Sequence, residues 1–313
     1  MAYDLRPLTL GELLDRAWNL YRHHLLLFVG ILAIPSIAML IMGIVMQFLQ
    51  PDLPAPDSTE AVDPAQMIGA FVWMGVGAVV LGSVYWISYA IALGATTIAV
   101  AELYRGRVPS IAASYDGVRG RWGRLAWLML LLFLRIFGVA FVVILISGVM
   151  AAMLGFLSPI AGALAGMLML ACAFVLFVWM ALRYAVCVPP AVLEDRSASR
   201  ALARSVALTS GALGRVLVLM FFTVIVAYAG FALTQGPFMV AAALAGPETS
   251  TAFWLNMAGV IAGSIAGAFT GPLAIIAMAV LYYDLRIRKE GLDLELMIAD
   301  LRAEAPTAEP LPG

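Results

Sequence analysis

Two arginines stand alone inside long apolar runs: Arg135 in LMLLLFLRIFGVAFVVILISGVM and Arg183 in LACAFVLFVWMALRYAVCV. A guanidinium stays charged and carries five N–H donors, so in hydrocarbon it costs several kcal/mol unless an anion or water answers it. Arg135 lies eleven residues past Arg124, and Arg183 lies eleven before Glu194. Eleven residues of helix rise about 16 Å, which predicts similar depths for both, near mid-bilayer. Candidate partners are Glu102 and Asp284, at the ends of apolar spans, or a lipid phosphate drawn into the bundle. The chemistry on offer is an anion or lipid-headgroup pocket; the competing reading is that each arginine snorkels or makes one structural ion pair.

A second pattern concerns packing. Gly259, Gly263, Gly267 and Gly271 recur every four residues, with Ser264 and Pro272 beside them. Such a ridge lets another helix approach closely where lipid supplies no hydrophobic drive. It reads as an internal packing face or a homodimer face, and Gly162 and Gly166 offer a facing groove. Other chemistry is not spelled out. His23 and His24 are adjacent and so point apart on a helix, reading as interfacial anchors with Trp18, Tyr21, Trp122 and Trp127. Cys172 and Cys187 sit in an apolar run, where a thiol behaves as a small hydrophobe. No nucleophile elbow, phosphate-binding loop or metal-ligand spacing occurs, so neither catalysis nor a cofactor is expected.

The elements that would position these residues are membrane helices. Hydrophobic residues make up 64% of the chain and charged residues 12%, against about 45–50% and about 25% in a soluble domain. Long unbroken apolar runs exclude a β-barrel and leave an all-α polytopic membrane protein. A net charge of −1 gives no reason to expect nucleic acid as a partner. The start, MAYDLRPLTLGELLDRAW, has no basic-then-apolar signal pattern, so no cleaved leader is expected.

Thr9 and Glu12 form a capping box that starts a helix at Leu10, ending near His24. The first span follows, from Leu25 to about Leu49, with Pro35 inside it. Residues 50–65 are rich in proline and acids and read as a solvated loop. Residues 67–101 are apolar for about 50 Å of helix, which predicts one tilted helix emerging near Glu102. An elbow at 109–124 delivers the third span, 125–154, and Ser158-Pro159 marks a tight turn. The fourth span, 160–188, leaves through Pro189-Pro190. A second elbow delivers the fifth span, 216–233. A loop around Gln235-Gly236-Pro237 and Gly246-Pro247-Glu248 leads to the sixth, 251–283. A charged amphipathic helix is expected over 286–304, then a disordered tail over 305–313.

The elbows repeat. A shift of 91 residues places Ser205 on Ser114, Gly211 on Gly120, Gly214 on Gly123, Arg215 on Arg124 and Leu219 on Leu128. Leu202, Val206, Thr209 and Leu213 fall on Ile111, Tyr115, Val118 and Trp122, one helical face in each case. Leu10, Leu14, Ala17 and Tyr21 open the chain with the same rhythm. The expected architecture is therefore six transmembrane helices as three hairpins, with an amphipathic cytosolic-side interfacial helix before each hairpin and at the C-terminus. The units run over about 9–101, 109–193 and 199–284 within a single membrane domain, 1–304. Sixteen of the eighteen Lys and Arg residues fall on one side of this arrangement, none in the three opposite loops, and Arg135 and Arg183 within spans. That bias predicts both termini in the cytosol.

LRPLTLGELLDRAWNLYR at the start, ALARS in the second elbow and LYYDLRIRKEGLDLELM near the end resemble bacterial multi-pass proteins of the glycerophosphoryl diester phosphodiesterase membrane-domain family. In that family a soluble phosphodiesterase barrel can accompany the membrane region, bringing a His-Arg-Gly motif and metal-binding acids. Here the His23-His24 pair is followed by leucine, and no such barrel is expected. The resemblance implies a membrane module of the bacterial inner membrane, working beside another protein. The functional expectation is a non-enzymatic scaffold or lipid-associated partner module, with membrane lipids, a protein partner or a second copy as its company. A small-solute or lipid transporter or channel is the alternative.

Overall fold

A computed structural model of the protein describes residues 6–49, 64–246 and 249–291. Among these residues there are eleven helices and no strand. Six helices are long and apolar enough to cross a membrane, so the chain is an all-α, multi-pass membrane protein.

The capping box forms as the spacing predicts. Glu12 N–H donates to Thr9 Oγ1 at 3.3 Å, and Thr9 N–H returns to Glu12 Oε2 at 2.7 Å, starting α1 (Leu10–His23). Arg6 also reaches the Glu12 carboxylate. Its hydrogen bond comes first, and the Thr9 backbone and hydroxyl follow, together holding this carboxyl down to about 2. Leu13, Ala17, Leu20 and Tyr21 form the buried stripe of α1. The chain breaks at His24 and re-enters helix as α2 (Leu25–Phe48), which runs through Pro35. The long second apolar run is one helix, α3 (Pro64–Tyr104), of 41 residues, about 60 Å at ~1.5 Å per residue.

The first elbow holds only a short helix, α4 (Ile111–Asp116), capped by Ser110, whose side chain accepts from Ala113 N–H at 3.1 Å. Gly120, at φ 81, turns the chain into α5 (Trp122–Leu157). Ser158 then caps α6 (Pro159–Tyr184). Pro189 and Pro190 fall in the first turn of α7 (Val188–Leu193), where a missing N–H leaves no bond unmade. The second elbow is α8 (Ala198–Thr209), and Gly211 at φ 76 turns the chain into α9 (Leu213–Thr234).

Two expectations need correction. The stretch expected as a loop after the fifth span is a helix, α10 (Gly236–Ala245). Pro237 lies in its first turn, and the apolar residues after it have reason to stay helical until Gly246, at φ 89, ends the run. The charged residues after the sixth span do not begin a separate helix. Residues 286–290 continue α11 (Ser250–Glu290), which Gly291 closes in the left-handed conformation. The expected amphipathic helix beyond 291 and the tail lie outside the described residues.

Helix α11 is the element the others gather around, packing against α1, α2, α3, α8, α9 and α10. Helices α2 and α3 pack as one pair and α5 and α6 as another. The buried core lies toward the arginine-rich end: Phe28, Ile31, Ala95, Ala99, Leu125, Leu128, Leu202, Leu219, Ile276 and Leu281 are all within it. Toward the opposite end the helices present Met153, Phe156, Ile160, Leu233 and Leu244 outward, as lipid permits, since hydrocarbon tails are as apolar as these side chains.

Several residues related by the 91-residue shift share full burial. Ser114 and Ser205, Val118 and Thr209, Leu125 and Val216, and Leu128 and Leu219 are each fully buried. The glycine ridge faces its own chain at three of four places. A Cβ on Gly259 would meet Phe238 at 3.3 Å, one on Gly263 the Gln235 amide at 2.5 Å, and one on Gly271 Leu32 at 2.7 Å; Gly267 faces open space. Gly162 and Gly166 do not form the facing groove. They abut Gly155 and Ala151 of α5, because the tight turn at Ser158 folds α6 onto its neighbour in sequence.

Candidate functional site

The segment leading into α1 and helices α9 and α11 converge on Asp284, whose side chain is fully buried. Leu8 N–H donates to its Oδ1 at 2.8 Å, and Arg215 donates to Oδ2 at 2.7 Å. Arg288 Nε reaches both oxygens at 3.1 Å. Both arginines also donate to the Leu8 carbonyl, at 2.8 and 2.5 Å. A buried carboxylate is tolerated when its lone pairs are filled and its charge is matched. Here both conditions hold, and the cluster pins the start of the chain to the end of α11.

A second cluster gathers around Glu194. Tyr282 donates to Glu194 Oε1 at 2.7 Å, Arg196 to Oε2 at 2.6 Å, and Arg204 to both at 3.1–3.2 Å. Arg204 also spans to Glu290, which Arg286 holds at 3.0 Å. Burial alone would raise the Glu194 carboxyl. The Tyr282 and Arg196 hydrogen bonds and the Arg204 charge outweigh it and hold it below the usual carboxylate range. A third, more exposed cluster joins Arg124 and Arg121 to Asp195 at 2.6 and 3.2 Å. Asp195 takes φ 53, a left-handed conformation that Asp tolerates better than most residues.

The four candidate residues do not form one cluster. Glu102 pairs with Arg105 at 2.6 Å and Arg107 at 3.8 Å. Asp284 is filled as above. Arg135 and Arg183 instead lie against aromatic rings at the same end of the α5–α6 hairpin. Arg135 sits 5.9 Å from the Tyr184 ring centroid and Arg183 sits 4.7 Å from that of Trp179. The Nε of Arg183 is buried and meets no hydrogen-bond partner among the described residues. Its backbone carbonyl is answered, by the hydroxyls of Ser205 at 2.9 Å and Thr209 at 3.2 Å, which dock α8 on the end of α6.

Helix length bears on how their depth is counted. The count from Arg124 assumed that helix and bilayer end together, yet the 36 residues of α5 rise about 54 Å, beyond a ~30 Å core. The hairpin tip is apolar, with Phe156 and Ile160 exposed, so a count can equally start from there. Measured from Ser158, Arg135 and Arg183 stand about 34 and 37 Å away along the helix axis, more than the ~30 Å thickness of a hydrocarbon core.

Residues 156–302 match the family model of the membrane domain of glycerophosphoryl diester phosphodiesterase. The resemblance read from the sequence is thus shown over the second part of the chain. No curated protein and no solved structure matches. The membrane-domain match begins at the hairpin tip and takes in Arg183, the Glu194 cluster, Arg215 and Asp284, but leaves Glu102 and Arg135 outside. It extends to no phosphodiesterase barrel, and among the described residues no three His, Cys, Asp or Glu side chains gather as metal ligands would.

Sequence reading missed the Glu194, Arg204 and Glu290 cluster, whose members come from three separated stretches. One signal was available. The shift that pairs Arg124 with Arg215 pairs two arginines that each open a hairpin and hold an acid near its close.

Proposed function

We propose that the protein is a non-enzymatic scaffold or lipid-associated partner module of the bacterial inner membrane, with both termini cytosolic. On this reading it holds anionic lipid headgroups on Arg135 and Arg183, at the cytosolic surface of the bilayer. The observation that carries the proposal is Arg183: a guanidinium stacked on Trp179, whose buried Nε meets no hydrogen-bond partner among the described residues. A lipid phosphate supplies the missing acceptor and the missing negative charge together. The arginine bias of the loops supports the orientation. The clusters at Asp284 and Glu194 support a rigid end surface of the kind a partner protein docks on.

The test is the anionic phospholipid retained per protein after mild extraction, in wild type and Arg183→Gln. A fall in the variant supports the proposal; equal retention overturns it. Reporters active only outside the cytosol, fused at Asp57 and Gly246, should give signal, and silence would reverse the orientation. Solute movement into liposomes by the protein alone would favour a transporter instead.

A further inference from the structure

Helix α6 carries a groove of about 420 Å³ lined by Ala171, Cys172, Val175, Leu176 and Trp179. These residues recur at helical spacing on one face, and Arg183 follows Trp179 by four residues on the same stripe. The guanidinium lies over the Trp179 ring at 4.7 Å, so the charge stands just beyond the Trp179 end of the groove. Every lining side chain is apolar, with Val175 and Trp179 well exposed. From Arg183 to Ala171 is twelve residues, about 18 Å of helix, close to the ~15 Å of one leaflet of a ~30 Å core.

One end of this feature needs an anion and the rest needs hydrocarbon. We infer that one anionic glycerophospholipid seats its phosphate on Arg183 and lays an acyl chain along α6 from Trp179 to Ala171. The inference rests on the headgroup reading above and adds the class of ligand, a two-part amphiphile held through both its parts. The buried Nε of Arg183 accounts for the phosphate. The groove accounts for the chain, and the Trp179 ring sits between them, apolar on one side and facing charge on the other.

The test uses the full chain in nanodiscs of phosphatidylcholine carrying a minor fraction of chain-brominated lipid, which quenches nearby tryptophans. The Trp179 signal is the difference between wild type and Trp179→Phe. Brominated phosphatidylglycerol should quench it several-fold more than brominated phosphatidylcholine at equal fraction. Arg183→Gln should erase that preference and Arg183→Lys should restore part of it. Excess inorganic phosphate should leave it in place. Equal quenching by the two lipids in wild type overturns the inference, and displacement by inorganic phosphate does the same by making the ligand a soluble anion. If Arg183→Gln lowers retained anionic lipid while Trp179 shows no preference, the headgroup reading stands and the groove falls. If it changes neither, both fall.

Discussion

Arg215, in the first turn of α9, donates to Asp284 near the end of α11 at 2.7 Å, and the acid is fully buried. Ninety-one residues earlier Arg124 opens α5 and holds Asp195, beyond α7, at 2.6 Å. Each arginine enters one hairpin and grips the acid that leaves it. The two pairs share a geometry and differ in burial, so they should differ in energy.

Asp284→Asn leaves Arg215 and Arg288 with no anion in a largely dry site. Breaking a buried pair from one side costs about 3–5 kcal/mol, and the partial exposure of the two arginines brings the expected loss to the lower end. Asp195→Asn removes an exposed, solvent-screened partner and should cost clearly less. Thermal unfolding of the two variants in the same detergent checks the ordering.

Glu194 sets a pH dependence. Its folded carboxyl is held below the ordinary ~4.3, so it contributes stability above that value, and the contribution is lost as pH falls through the folded value. Wild type should therefore lose more thermal stability than Glu194→Gln on acidification from pH 5 downward, and the two should run parallel from pH 6 to 8. Parallel curves throughout would remove the Tyr282, Arg196 and Arg204 hydrogen bonds from the account.

Gly162 and Gly267 should respond oppositely to alanine. A Cβ at 162 would stand 2.7 Å from Gly155 Cα and 2.8 Å from the Ala151 carbonyl, both backbone, so the α5–α6 pair must part, at about 1–3 kcal/mol. At 267 nothing lies within 4 Å, and alanine should be neutral or stabilising by up to about 1 kcal/mol through helix propensity. Unfolding midpoints of the two single variants decide this.

Gly211 takes φ 76 at the turn from α8 into α9. A side chain there is strained by about 1–2 kcal/mol even in open space. Gly211→Ala should be destabilised by that amount and Gly211→Asn by less, measured in the same way.

The spans were legible because apolar length is a direct count and the bilayer is a fixed ruler. The capping box at Thr9 and Glu12 was legible because its partners lie three residues apart. Helix α10 was not, since Gly236-Pro237 marks a turn and a helix start equally well. The partners of Asp284 and Glu194 were not, since Leu8, Arg215 and Tyr282 reach them only after the hairpins have packed. The depth of Arg135 is not legible by counting alone: α5 is longer than a bilayer core is thick, so counts from the charged end and from the apolar tip disagree.

The central claim is that Arg135 and Arg183 hold an anionic lipid. Native mass spectrometry of gently extracted wild type and Arg135→Gln/Arg183→Gln tests it most directly, because it weighs chain, partner and bound lipid together. Wild type should carry the mass of an anionic phospholipid through activation that strips bulk lipid, and the double variant should lose it at the same energy. The same adduct on both proteins, or a bare chain in wild type, would contradict the account.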